Sequence, residues 1–166
     1  MRGDLLYRPT AIAAVICGLS GHAGAQALTT HRIPAALALE AVAAAVETCG
    51  KQGYAETAIV LDADGITQAL LRGDGTGVHS IDSATYKAYT SATMKVDTSV
   101  LIEREKTDPM GPGMAKLPRL LEAGGGVVIK VGDEVVGAIG ASGAPGSQLD
   151  ENCAKAGLAK IQDRLK

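Results

Sequence analysis

The sequence predicts an α+β protein: one antiparallel sheet with helices packed on it, the first and last helices being neighbours. Three observations lead there. Two pairs of apolar runs are each joined by a short turn of Asp and Gly, the signature of hairpins. Apolar residues at helical spacing lie at both ends of the chain and between the hairpins. Strands in consecutive hairpins pair antiparallel, so the order helix, hairpin, helices, hairpin, helix argues against a parallel sheet.

The chain has 166 residues, enough for one domain. Arg2 and Arg8 precede a short apolar run, "TAIAAVICGL" (Thr10–Leu19), and then the small residues "GHAGAQA". This reads as a signal peptide over residues 1–27, cleaved after Ala25 or Ala27, and it predicts a periplasmic or secreted protein with residues 28–166 as its single domain. The run is shorter than the roughly 20 residues of a membrane span, so no stable membrane anchor follows.

The first helix is predicted over about Ile33 to Gln52, with Leu39, Val42, Val46 and Cys49 on one face and Gly50 and Gly53 ending it. "TAIVLDADGITQALLR" (Thr57–Arg72) is a hairpin turning at Asp62–Gly65. "GDGTG" (Gly73–Gly77) is a loop without the Lys-Ser/Thr ending of a phosphate-binding P-loop. Ser80–Lys106 is helical with a break near Val96–Ser99, and Ser80 or Asp82 caps its start. Ala84, Lys87, Ala88, Ser91 and Ala92 make a stripe of small residues where a backbone can approach. Thr107–Arg119 holds three prolines and two glycines and reads as loop. "VVIKV" and "EVVGAIGA" form the second hairpin around Gly132 and Asp133. Gly137, Gly140 and Gly143 in or beside a strand mean that the backbone bends there or that something comes close to it. Ser147 and Asp150, three apart, match a capping box opening a last helix to about Leu165.

Composition narrows the partners. The net charge of −2 and the absence of a basic patch argue against nucleic acid. With no Phe and no Trp, the core is left to Val, Ile, Leu and Ala. Cys49 and Cys153 remain after signal cleavage, either bridged or as two buried thiols; in an oxidising compartment an even number favours the bridge. No ordered Ser/His/Asp set and no His-Glu-x-x-His marks an enzyme. Asp62, Asp64, Asp74 and Asp82 sit beside turns for backbone reasons and lack the spacing of a calcium loop.

Three stretches carry a family resemblance: "LLRGDGTGVHSIDSATYKAYT" (Leu70–Thr90), "DEVVGAIGASGAPG" (Asp133–Gly146) and "LDENCAKAGLAKI" (Leu149–Ile161). In order and spacing they resemble the GlcG/HbpS-like family of haem-binding proteins. The resemblance implies a profilin-like fold with a five-stranded antiparallel sheet. It also implies assembly into homo-oligomers, often large and ring-like or octameric, and haem as the ligand; the sequence has no Cys-x-x-Cys-His, so covalent c-type attachment is excluded.

Haem asks for an apolar slot, an axial donor to iron and cations for its propionates. His79, between the glycine loop and a helix, is the first candidate for the iron, with a solvated loop histidine as the plain alternative. His31, in the N-terminal arm, is the second. The family associates a hydroxyl near this loop with haem, and Ser80 stands at the corresponding place; the N-cap is its structural alternative. Lys87 is an expected family position that either reaches a propionate or ends in solvent. Tyr86 and Tyr89 are the nearest aromatics and either line the ligand or simply pack. Met110 and Met114 are further sulfur donors, in a Pro/Gly-rich loop. The expected function is an exported, oligomeric haem- or tetrapyrrole-binding protein for storage, scavenging or sensing. The alternative is a periplasmic accessory subunit of an oxidation pathway that binds a small organic acid or a partner enzyme.

Overall fold

Alternation in the first predicted strand decides how the layers form. In β1 (Thr57–Asp62) Ala58 and Val60 point to one side of the sheet and Ile59 and Leu61 to the other, all of them buried. A strand that is apolar on both faces needs cover on both, and helices supply it. The computed structural model describes residues 29–108, 111–114 and 116–166; the predicted signal segment and Met110 lie outside them.

The elements are α1 (Ala35–Lys51), β1, β2 (Thr67–Arg72), α2 (His79–Met94), α3 (Thr98–Glu105), α4 (Gly111–Met114), β3 (Gly126–Val131), β4 (Glu134–Ser142) and α5 (Ser147–Ile161), followed by a 3₁₀ turn at Gln162–Arg164. Four strands, all antiparallel, form a sheet in the order β2-β1-β4-β3. The resemblance implied five strands; among the described residues there are four, because the two hairpins meet directly through β1 and β4.

α1 and α5 pack side by side on one face, and α2 lies on the other across β4, β1 and β3. The first face holds the larger core, from Ile33, Val42, Val60, Ile129, Ile139 and Ile161 among others. The second holds Ile59, Leu61, Ala84, Ala88, Ala92 and Ala138, with Tyr89 at its margin. The predicted adjacency of the terminal helices is correct, and Cys49 and Cys153 are joined by a disulfide with Cα atoms 5.7 Å apart.

Close approach explains the glycines on both sides. A Cβ on Gly140 would collide with the Ala84 carbonyl oxygen, so α2 rests on bare strand backbone. A Cβ on Gly157 would meet the Ala41 carbonyl oxygen at 2.5 Å, and the α1–α5 crossing depends on its absence.

Four local expectations change. The stretch Thr107–Arg119, expected to be loop, contains the short helix α4. Leu39 is 59% exposed, and the buried stripe of α1 runs instead through Leu37, Ala38, Ala41, Val42, Ala45 and Cys49. Ser80 does not cap α2, which begins at His79; its hydroxyl lies 2.6 Å from the Gly77 carbonyl oxygen and 2.6 Å from Thr57 Oγ1. Ser147 and Asp150 do not form a capping box: α5 starts without a side-chain cap, and Asp150 is drawn inward by tertiary partners.

Candidate functional site

The start of α2 collects most of the predicted site residues, but on two different sides of the helix. The Gly73–Gly77 loop is tied back to the strand by two bonds to the Glu56 carbonyl oxygen, from Gly73 N–H at 2.8 Å and Thr76 Oγ1 at 3.2 Å. This delivers His79 as the first residue of α2. Its imidazole is exposed, lies against Gly77, and makes no hydrogen bond or ion pair with the described residues. Tyr86 is seven residues on, two helical turns, and so shares the outward face; it is 37% exposed, and Val78 beside His79 is 73% exposed.

The opposite side of α2 is sealed. Ser80 is buried between Thr57 and Gly77. Lys87 is 3% exposed, and its ammonium donates to Asp150 Oδ2 at 2.5 Å and to the Ala141 carbonyl oxygen at 3.2 Å. The side chain reaches neither solvent nor the His79 face, since helical rotation aims it into the protein. Tyr89 is half-buried, with the Arg119 guanidinium 4.0 Å above its ring. The structure thus brings His79 and Tyr86 together on an open surface and separates Ser80 and Lys87 from them.

His31 stands at the other end of the molecule. Its Nδ1 is 2.5 Å from Glu134 Oε2 and its backbone N–H donates to Glu134 Oε1 at 3.1 Å. These bonds hold the Glu134 carboxyl below its usual range. His31 lines a cleft of about 490 Å³ where Arg32, Lys95 and Lys130 face Asp62, Asp64, Asp133 and Glu134. Asp62 is a turn residue, as expected: its Oδ1 accepts the N–H groups of Asp64 and Ile66. Among the described residues no group of three or more His, Cys, Asp or Glu is arranged to hold a metal ion. Nor is any described helix long and apolar enough to cross a membrane.

Sequence reasoning missed the partners of Lys87. Asp150 and Glu56 are buried at 4% and 0% exposure beside it. Asp150 was read as a helix cap, and nothing around Glu56 in the sequence marks it. Burial, with Asp150 close by, pushes the Glu56 carboxyl up to about 8. Glu122, half-buried beside Glu105, is raised to about 7 for the same two reasons.

Fold and site together define an α+β protein with a sealed polar interior and an open face carrying an imidazole that has no partner among the described residues. The model of the family described as haem degrading protein HbpS-like matches residues 33–159, and the chain belongs to that family. HbpS is 34% identical, with a TM-score of 0.76 over 82% of this chain and 94% of that one. ORFY of Klebsiella pneumoniae shares the fold at 23% identity, with a TM-score of 0.78 over 84% of this chain and 97% of that one. PduOC, solved as a haem complex, shares it at 22% identity, with a TM-score of 0.71 over 79% and 96%. No curated protein sequence matches.

Proposed function

We propose that this protein is an exported, oligomeric binder of haem or a related tetrapyrrole, acting in storage, scavenging or sensing. The observation that carries the reading is His79: an exposed imidazole without a partner among the described residues, at the head of a helix, flanked by exposed Val78 and Tyr86. A neutral imidazole is a common axial donor to haem iron. Membership of the HbpS-like family and the haem complex of PduOC support the same ligand.

The residues fit one side of a haem. His79 would hold the iron, Tyr86 and Val78 would lie along the porphyrin, and iron held there supplies redox and ligand-exchange chemistry. A second wall is needed to exclude water, and a neighbouring copy of the chain supplies it in this proposal, in keeping with the expected homo-oligomer. Lys87 is committed to Asp150 and leaves the propionates to other cations.

The test is a haemin titration of the chain without residues 1–27, followed in the Soret band. A saturable shift at micromolar haemin is expected, and His79→Ala weakens it at least tenfold. Absence of any saturable shift removes the proposal. A second reading comes from the family description, haem degradation: bleaching of the bound Soret band on adding a reductant in air supports it, and a persistent band supports binding alone.

A further inference from the structure

Glu56, the residue before β1, is fully buried, yet neither of its carboxyl oxygens has a hydrogen-bond partner among the described residues. Buried polar atoms are almost always paired, so this one calls for a reason. Asp150, in the first turn of α5, is the acid that acts on Glu56, and it is already engaged: Oδ2 accepts Lys87 Nζ at 2.5 Å and Oδ1 accepts the Ala144 N–H at 2.9 Å. The pocket therefore holds two acids and one base. Lys87 balances Asp150, and a second carboxylate would have no cation.

The other charged groups nearby do not change that count. On α5, Glu151 is turned to Ser99 and to Lys155. On β2, Arg72 donates to the Thr76 carbonyl oxygen. In the loop before α2, Asp74 is exposed, and Thr76 adds only a hydroxyl. The turn 143–146 adds only backbone, through Ala144 N–H. Glu56 lines neither of the two best-formed clefts among the described residues. A proton on Glu56 would remove the second charge and supply a donor toward Asp150.

We propose that Glu56, Asp150 and Lys87 form a one-proton latch: a proton on Glu56 lets it donate to Asp150 and keeps the turn 143–146 and the start of α5 seated on the head of β1, and losing that proton in alkali springs this corner open. Asp150 has acceptor capacity left for such a bond, because each carboxylate oxygen takes two donors. The raised Glu56 carboxyl agrees with it. The corner is also fastened to α2: Thr57 Oγ1 lies 2.6 Å from Ser80 Oγ, and Ser142 Oγ, on the residue paired with Thr57, lies 2.9 Å from Ser83 Oγ. Opening it therefore loosens the first turns of α2, where His79 sits. The latch stands independently of the haem reading.

The experiment is amide hydrogen exchange on the full chain between pH 6 and pH 9.5, corrected for intrinsic exchange rates. Protection of residues 56–58 and 141–150 is expected to fall about tenfold per pH unit from pH 6 to about pH 8, the slope of a single proton, and to level off above pH 8, while the middle of α1 keeps its protection. In Glu56→Gln, where the amide donates to Asp150 at every pH, the fall disappears. Protection that does not change with pH in the native chain, or an unchanged slope in Glu56→Gln, overturns the latch. Should that variant not fold, carbon-13 titration of the Glu56 carboxyl in the native chain decides: a midpoint near 8 upholds the latch, and one near 4.5 sinks it.

Discussion

The two faces of the sheet are built on different principles. Under α1 and α5 the core is aliphatic, with Ile, Val and Ala side chains interlocked and the helices stapled by Cys49–Cys153. Under α2 the side chains are mostly Ala and Gly, the backbones nearly touch, and much of the contact is polar: Ser80 to Thr57, Ser83 to Ser142, Lys87 to Asp150. An aliphatic core tolerates small changes of shape, losing packing energy in proportion to volume. A polar seam is less forgiving, because each group deprived of its partner pays the full cost of desolvation. The face that carries His79 is thus expected to be the more fragile one, and, if the proposed latch holds, the one that responds to pH.

Gly140→Val should break the α2 face most completely. The branched side chain would drive into the Ala84 carbonyl, and a loss above about 5 kcal/mol is expected; circular dichroism and urea unfolding would show whether the variant folds at all. On the opposite face, Cys49→Ala with Cys153→Ala removes a link between residues 104 apart and should cost about 4–5 kcal/mol in the loop-entropy model. Retention of the native urea midpoint by that double variant would mean that the aliphatic packing needs no staple. Lys87→Met leaves Asp150 buried without its cation, for a loss of about 3–5 kcal/mol at neutral pH by the same unfolding measurement.

The gentlest probe is pH itself. Glu56 has a folded value near 8 against 4.5 for the free side chain, so the folded state holds the proton more tightly. Its contribution is complete below about pH 4.5, declines as pH rises, and is gone once pH passes about 8. Over that window the native chain should lose about 3–5 kcal/mol that Glu56→Gln keeps. Unfolding curves of the two proteins at pH 5 and pH 9 measure it: the variant should gain on the native chain at pH 9. Equal slopes would show that the α2 face holds no such proton.

Much of the fold was legible in local chemistry. The Asp62–Gly65 and Gly132–Asp133 turns specify both hairpins, and apolar spacing placed α1, α2 and α5 within a few residues of their observed ends. The glycines of β4 announced a close neighbour without saying which. The site was legible only in part. His79 and Tyr86 were named as candidates in the sequence, but only the structure shows that they share an exposed face. Ser80 and Lys87, a few residues away, were read toward the same ligand and belong to the interior.

What the sequence by itself determined, then, is the set of elements, their order and the antiparallel pairing within each hairpin, because turn chemistry and periodicity act over a few residues. Tertiary structure alone decided that the sheet has four strands among the described residues, that Asp150 serves Lys87 instead of capping a helix, and that Glu56 is buried beside them. Lys87 and Asp150 are 63 positions apart and Glu56 is farther still from Asp150. Only packing α2 and α5 on the same sheet removes the water that would otherwise keep all three titratable groups independent.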